Sequence, residues 1–282
     1  MTVTLARTML RSPEDLVMNE AEPRAARSQG LRASKVPEVI LLFWIMKIAA
    51  TTLGETAGDL LSMTLNVGYA VSSMILIGLF LLTVVVQLRA KKYHPILYWT
   101  VILSTSTAGT TMSDYMDRSL GLGYAKGTLI LIAILAAIFL IWRFSANSFS
   151  VQSIRTFKVE LLYWTAILFS NTLGTALGDF LADSSGLGFA GGAAVIGGLL
   201  AAIVLAAYFT QASKTLLFWM AFVLTRPFGA TMGDVLTKPH ERGGLGFGTV
   251  GSSAILGAIL VILVVYTTLK KNAPTAAAAD NP

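Results

Sequence analysis

Long apolar stretches alternate with short polar breaks along the chain, at about residues 37–62, 69–88, 95–116, 124–142, 160–181, 189–210, 215–236 and 247–269. A helix of roughly 20 apolar residues crosses the hydrocarbon core of a bilayer. The pattern therefore predicts an all-α, polytopic membrane protein with eight transmembrane helices. An even number of spans places both termini on the same side.

Within these stretches a repeat is legible. An aromatic pair opens each odd-numbered span: Phe43-Trp44, Tyr98-Trp99, Tyr163-Trp164 and Phe218-Trp219. An aspartate follows each tryptophan by 15 residues: Asp59, Asp114, Asp179 and Asp234. Trp+10 is always glycine (Gly54, Gly109, Gly174, Gly229), and Trp+14 is small (Gly58, Ser113, Gly178, Gly233). Trp+8 is Thr52, Thr107 and Thr172, then Pro227, which should disturb its helix. Each second span opens on glycine and an aromatic: Gly68-Tyr69, Gly123-Tyr124, Gly188-Phe189 and Gly246-Phe247. In the last unit the segment Lys238-Pro239-His240-Glu241-Arg242 lengthens the loop before that pair. Four units that each cross twice share one orientation, so the repeats are parallel, a plan found in some transporters.

The chain thus resembles a bacterial membrane-protein family defined by four tandem copies of a repeat of unknown function. Each copy in that family holds two transmembrane segments and a characteristic tryptophan. The resemblance spans residues 37–269. It implies the architecture and carries no biochemical activity.

Composition agrees with a membrane class: 55% hydrophobic, 13% charged, with mean hydropathy +0.70, where soluble domains carry roughly a quarter charged residues. The net charge of +6 is largely a topology signal. Twelve Lys and Arg residues lie near the spans on the terminal side, against Arg118, Lys126, Lys238 and Arg242 on the other. The positive-inside rule then places both termini in the cytoplasm of a bacterial inner membrane, and no nucleic-acid partner is needed. There are no cysteines, and both histidines, His94 and His240, fall in loops, which argues against thiol or His-based centres. No nucleotide-binding motif or nucleophile–base pattern is present, so an enzyme is not expected. Disordered cytosolic tails are predicted over 1–36 and 270–282, and a linker over 144–158 between repeats one and two (37–143) and repeats three and four (159–269).

Helical geometry puts Trp+7, +8, +11 and +15 on one stripe, which in a membrane faces the bundle interior. Trp+7 reads Thr51, Ser106, Asn171 and Arg226; Trp+11 reads Glu55, Thr110, Thr175 and Ala230. Together with the aspartates these predict a polar, acidic passage on a common axis, flanked by glycines that permit close helix approach. Gly198/Ala202 and Ser253/Gly257 are expected to do the same in the even spans. Glu55 and the four aspartates, against Lys47 and Arg226, leave an excess of three negative charges to be met by protons, cations or water. Hard oxygen ligands favour Mg, Mn or Ca, with Glu55 and Asp59 the first metal candidates.

Structural readings stand beside these. Asp59 lies ~33 Å along its helix from Pro37, near the outer interface, where it could cap a turn, bind a neighbouring backbone or face water. An aspartate at a helix C-terminus opposes the macrodipole, however, and does so four times. Arg226 and Lys47 could neutralise carboxylates, or Lys47 could snorkel to the cytoplasmic face. The tryptophans Trp44, Trp99, Trp164 and Trp219 read as interfacial or packing anchors, and the repeated glycines as packing positions or points of local unwinding. The leading expectation is a secondary transporter of a cation with proton coupling through an acidic axial site. It would need no cofactor beyond a bound cation, and a homo-oligomer is compatible. A membrane-embedded sensor or scaffold is the alternative.

Overall fold

The computed structural model describes residues 36–145 and 156–272. The first 35 residues, those after 272 and most of the link expected at 144–158 lie outside them; the tail expected from 270 starts later, because α8 carries on to Asn272. Eight long helices follow in order: α1 Leu41–Asp59, α2 Tyr69–Arg89, α3 Pro95–Asp114, α4 Tyr124–Ser145, α5 Phe157–Asp179, α6 Gly188–Phe209, α7 Lys214–Thr237 and α8 Gly248–Asn272. No strand occurs among the described residues.

Local chemistry sets the helix starts. Pro95 opens α3, where its missing N–H costs nothing, and the Thr156 and Ser213 hydroxyls accept from Val159 N and Leu216 N to cap α5 and α7. The ends differ from the expectation of a helix stopping at its aspartate. After Asp59, Asp114 and Asp179 the chain continues through one π-helical turn, Leu60–Thr64, Tyr115–Ser119 and Phe180–Ser184, closed by i→i+5 bonds such as Leu65 N to Leu60 O at 2.8 Å. The first three aspartates are therefore one turn inside a continuous spiral, which weakens the macrodipole objection. In the fourth repeat α7 runs straight on to Thr237, and it stays helical through Pro227. The glycine before each even helix has φ between 67° and 81°, a left-handed conformation that a side chain would strain. This explains its fourfold recurrence.

The odd helices close into a ring: α1 packs on α3, α3 on α5, α5 on α7 and α7 on α1. Each even helix docks on the odd helix of the following repeat: α2 on α3, α4 on α5, α6 on α7, and α8 back on α1. Hydrogen bonds mark these seams, Thr83 Oγ1 to Ser104 Oγ at 2.9 Å between α2 and α3, and Ser253 Oγ to Thr56 Oγ1 at 2.9 Å between α8 and α1.

The glycine pattern shows how the ring is cut to shape. A Cβ on Gly54 would strike Ser106, one on Gly109 would strike Asn171, one on Gly174 would strike Arg226, and one on Gly229 would strike Thr51. Trp+10 of every repeat thus seats Trp+7 of the next at the same height, as parallel helices require. Of the small residues expected to serve the even helices, Ser253 lies at the α8–α1 seam and the other three do not take part in packing. Gly198 and Gly257 face open space and Ala202 is exposed, because the outer helices touch the inner ring rather than one another.

Five helices, α2, α4, α6, α7 and α8, are long and apolar enough to cross a membrane. The outer ones turn bare apolar side chains outward, among them Leu82 at 64%, Ile141 at 53%, Leu205 at 55% and Ile262 at 65% exposure, a surface that suits lipid rather than water. The inner helices α1, α3 and α5 are less apolar because protein, not lipid, surrounds their polar stripe.

Candidate functional site

Side chains at Trp−1, +3, +7, +11 and +15 recur every four residues, so five layers stack along the ring over ~24 Å. The Trp−1 layer is an aromatic collar. Phe43 packs on Trp99 (5.8 Å between centroids), Tyr98 on Trp164 (5.7 Å), Tyr163 on Trp219 (6.2 Å) and Phe218 on Trp44 (5.8 Å), each repeat reaching the next around the circle. The Tyr98 and Tyr163 hydroxyls share a hydrogen bond of 2.9 Å. The four tryptophans are packing anchors in this collar.

The Trp+3 layer holds Lys47 with Ile102, Ile167 and Phe222, all at 1% exposure or less. Lys47 neither reaches the surface nor pairs with a carboxylate. Its Nζ stands 4.2 Å from the centroid of the Phe222 ring and meets no hydrogen-bond acceptor among the described residues.

At Trp+7 and +11 the expected open passage is filled. Arg226, fully buried, sends Nη2 across the axis to Glu55 Oε2 at 3.0 Å. The same nitrogen donates to Thr110 Oγ1 at 2.5 Å and Thr175 Oγ1 at 2.7 Å, while Nη1 donates to Thr51 O at 3.4 Å. The Thr110 and Thr175 hydroxyls also lie 3.2 and 3.1 Å from Glu55 Oε2. One ion pair therefore ties all four repeats together, with Ala230 making room on the fourth side. The other stripe members bond within their own helix or to the neighbouring one of the ring. Thr51 Oγ1 donates to Lys47 O at 3.0 Å, and Asn171 Nδ2 to Thr105 Oγ1 at 2.9 Å. Thr107 and Thr172 turn back to their own helices, at Leu103 O and Leu168 O, while Thr52 is buried.

The Trp+15 aspartates share one level, none more than 3% exposed, but they form two bridged pairs instead of a uniform ring. Arg118 joins Asp114 (3.1 Å) to Asp179 (3.2 Å), and Lys238 joins Asp234 (3.1 Å) to Asp59 (3.0 Å). This corrects the charge count. The five acids face four bases, and the excess of negative charge falls from three to one. Arg118 and Lys238 are the members of the candidate site that the span pattern missed by assigning them to the loops. The available signal was their spacing, four residues after Asp114 and Asp234, which brings opposite charges together on a helix.

Arg118 also donates to Tyr69 OH at 3.0 Å and lies over the Tyr69 and Tyr124 rings, so the aromatics opening α2 and α4 hold it in place. Burial works against the Lys238 ammonium. Asp234 and Asp59 outweigh it and hold its pKa above the ordinary lysine value.

Inside this layer, carboxylate oxygens of Glu55, Asp59 and Asp234 lie within 4.8 Å of one another. A cavity of 460 Å³ opens beside it, lined by Arg118, Asp179, Asp183, Asp234, Lys238 and Arg242 among others.

Four parallel hairpins closed into a ring around a polar column define a helical bundle of membrane type built by internal repetition. The chain belongs to the family defined by the Repeat of Unknown Function (DUF347), whose model matches residues 42–93, 97–148, 162–213 and 217–272. No curated protein and no solved structure matches it.

Proposed function

We propose that the chain is an eight-span transporter of the bacterial inner membrane, its termini cytoplasmic, that exchanges a hard cation such as Mn²⁺, Mg²⁺ or Ca²⁺ for protons. The observation that carries this reading is the convergence of the Glu55, Asp59 and Asp234 carboxylates, two of which, Asp59 and Asp234, are held by the Lys238 ammonium. Oxygens bound to one Ca²⁺ ion at about 2.3–2.6 Å each stand no more than about 5 Å apart, a limit that the three carboxylates, within 4.8 Å of one another, respect.

Lys238 follows α7 and is 17% exposed. It acts as a tethered cation that balances the carboxylates when the site holds no substrate. An arriving cation displaces it toward the cavity and takes over its two aspartates, with Glu55 as third ligand. On release Lys238 or protons return, so the carboxylates are never left bare in a low-dielectric interior. Below the site the Glu55–Arg226 bridge seals the axis against leak.

Reconstituted in proteoliposomes, the wild type should move Mn²⁺ and protons in opposite directions. Asp59→Asn with Asp234→Asn should abolish both fluxes, and Lys238→Met should retain Mn²⁺ binding, now tighter. Wild-type flux in the double aspartate variant would refute the assignment.

A further inference from the structure

At the collar end of the ring a cavity of 620 Å³ opens between α1, α6 and α7. Trp44 on α1, Val204 and Ala207 on α6, and Lys214, Thr215 and Phe218 on α7 line it. Val204 is 53% exposed, so the cavity is open on the outer face that suits lipid. Its size falls within the roughly 300–1,000 Å³ of pockets that hold small molecules.

The repeats themselves show why the chain does not fill this space. Trp99 and Trp164 stand 65 residues apart, as do Gly123-Tyr124 and Gly188-Phe189, which puts Val204 and Ala207 at the positions of Phe139 and Trp142. In repeat two those two aromatics close the seam. Trp142 meets Tyr163 and Trp219 at 6.4 and 5.5 Å between centroids, and Phe139 meets Trp219 at 5.1 Å. Repeat one places Gln87 at the position of Trp142, also buried. One step further round the ring, the counterparts of Tyr163 and Trp219 are Phe218 and Trp44, and both face the cavity. Trp44 is accordingly half-buried, while Trp99, Trp164 and Trp219 are buried.

The lining selects the occupant. Uncovered apolar wall forfeits dispersion contacts, and water finds few hydrogen bonds against it. A basic group stands at the end of the slot. Lys214, exposed, donates one N–H to Ala207 O at 2.6 Å and has two further donors. It opens α7, and the positive end of that helix also favours a phosphate. An apolar slot with a cation at its membrane-surface end suits an acyl chain joined to a phosphate head group.

We propose that this cavity binds a membrane phospholipid. One acyl chain lies against Trp44 and Phe218, in the place that Phe139 and Trp142 fill in repeat two, and the phosphate meets the Lys214 ammonium. The lipid completes the collar where α6 leaves it uncovered. The site is independent of the transport reading, since the carboxylate layer lies at the other end of the ring.

Native mass spectrometry of the full chain, moved from phosphatidylglycerol nanodiscs into mild detergent, tests this. The wild type should retain a single phosphatidylglycerol per chain. Val204→Phe with Ala207→Trp rebuilds the seam of repeat two and should retain none, with a melting temperature in lipid-free detergent no lower than that of the wild type. Lys214→Glu alters an exposed side chain and should lower retention about tenfold, because repulsion of the phosphate replaces attraction. That variant keeps the test decisive if the filled one does not fold. A wild type that carries no lipid, whether single or paired with a second copy, overturns the proposal. So does retention that is unchanged in the folded filled variant or in Lys214→Glu.

Discussion

At position 55 the fourth turn of α1 carries a glutamate where the other repeats carry Thr110, Thr175 and Ala230, and at position 226 α7 answers with an arginine. Neither residue is tolerable alone in a dry interior. Together they neutralise one another, and two threonine hydroxyls complete the cluster. Removing one partner of a buried pair leaves an uncompensated charge and costs about 3–5 kcal/mol, whereas replacing both by apolar groups is often neutral. Glu55→Gln and Arg226→Met should each lower the melting temperature in detergent sharply, and the Glu55→Met, Arg226→Met double variant should recover most of the loss. A double variant as unstable as the sum of the singles would mean that the pair is not the unit of stability. The identity of these two residues could be read from the sequence. Their partnership could not, because they lie 171 positions apart.

Among the elements, the odd helices do most to fix the architecture, because Trp+10 of each must accept Trp+7 of the next. Gly109 is the clearest test, since a Cβ there would come within 2.9 Å of Asn171 and Thr172 backbone atoms, which cannot step aside. Overpacking of this kind costs about 1–3 kcal/mol. Gly109→Val should destabilise the protein accordingly, while Gly198→Val, in open space on α6, should leave the melting temperature unchanged. The repeat made the importance of the first glycine legible. It could not separate Gly109 from Gly198, because small residues at helical spacing look alike until the facing helix is known. The π-helical turns after Asp59, Asp114 and Asp179 were likewise hidden. They arise where the spiral widens to meet the following loop, a feature without a residue-type signature.

The described helices form a ring in which each repeat lends its second helix to its neighbour. The seam between repeats two and three, where α4 covers α5, is built like the closure where α8 covers α1. Among the described residues, packing runs across the longer link as it does across the other seams. Expressed alone, residues 1–150 would leave α1 without α8, and residues 151–282 would leave α5 without α4. Each half should aggregate by itself, and the two co-expressed should co-purify through a tag on either one. A single half that is monodisperse and thermally stable would contradict the interlocked arrangement.

The sequence by itself determined the helices, their grouping into four equivalent hairpins, and the polar stripe with its aspartates, because these are periodic and local and the bilayer makes hydrophobicity a strong signal. Only the tertiary structure decided that the repeats close into a circle and that Glu55 meets Arg226. It alone showed that Arg118 and Lys238 fold back over the aspartates, and that Lys47 meets no acceptor among the described residues. Those outcomes depend on which helix faces which across an axis. That relation is set by packing between residues remote in the chain, where equal spacing carries no information about the partner.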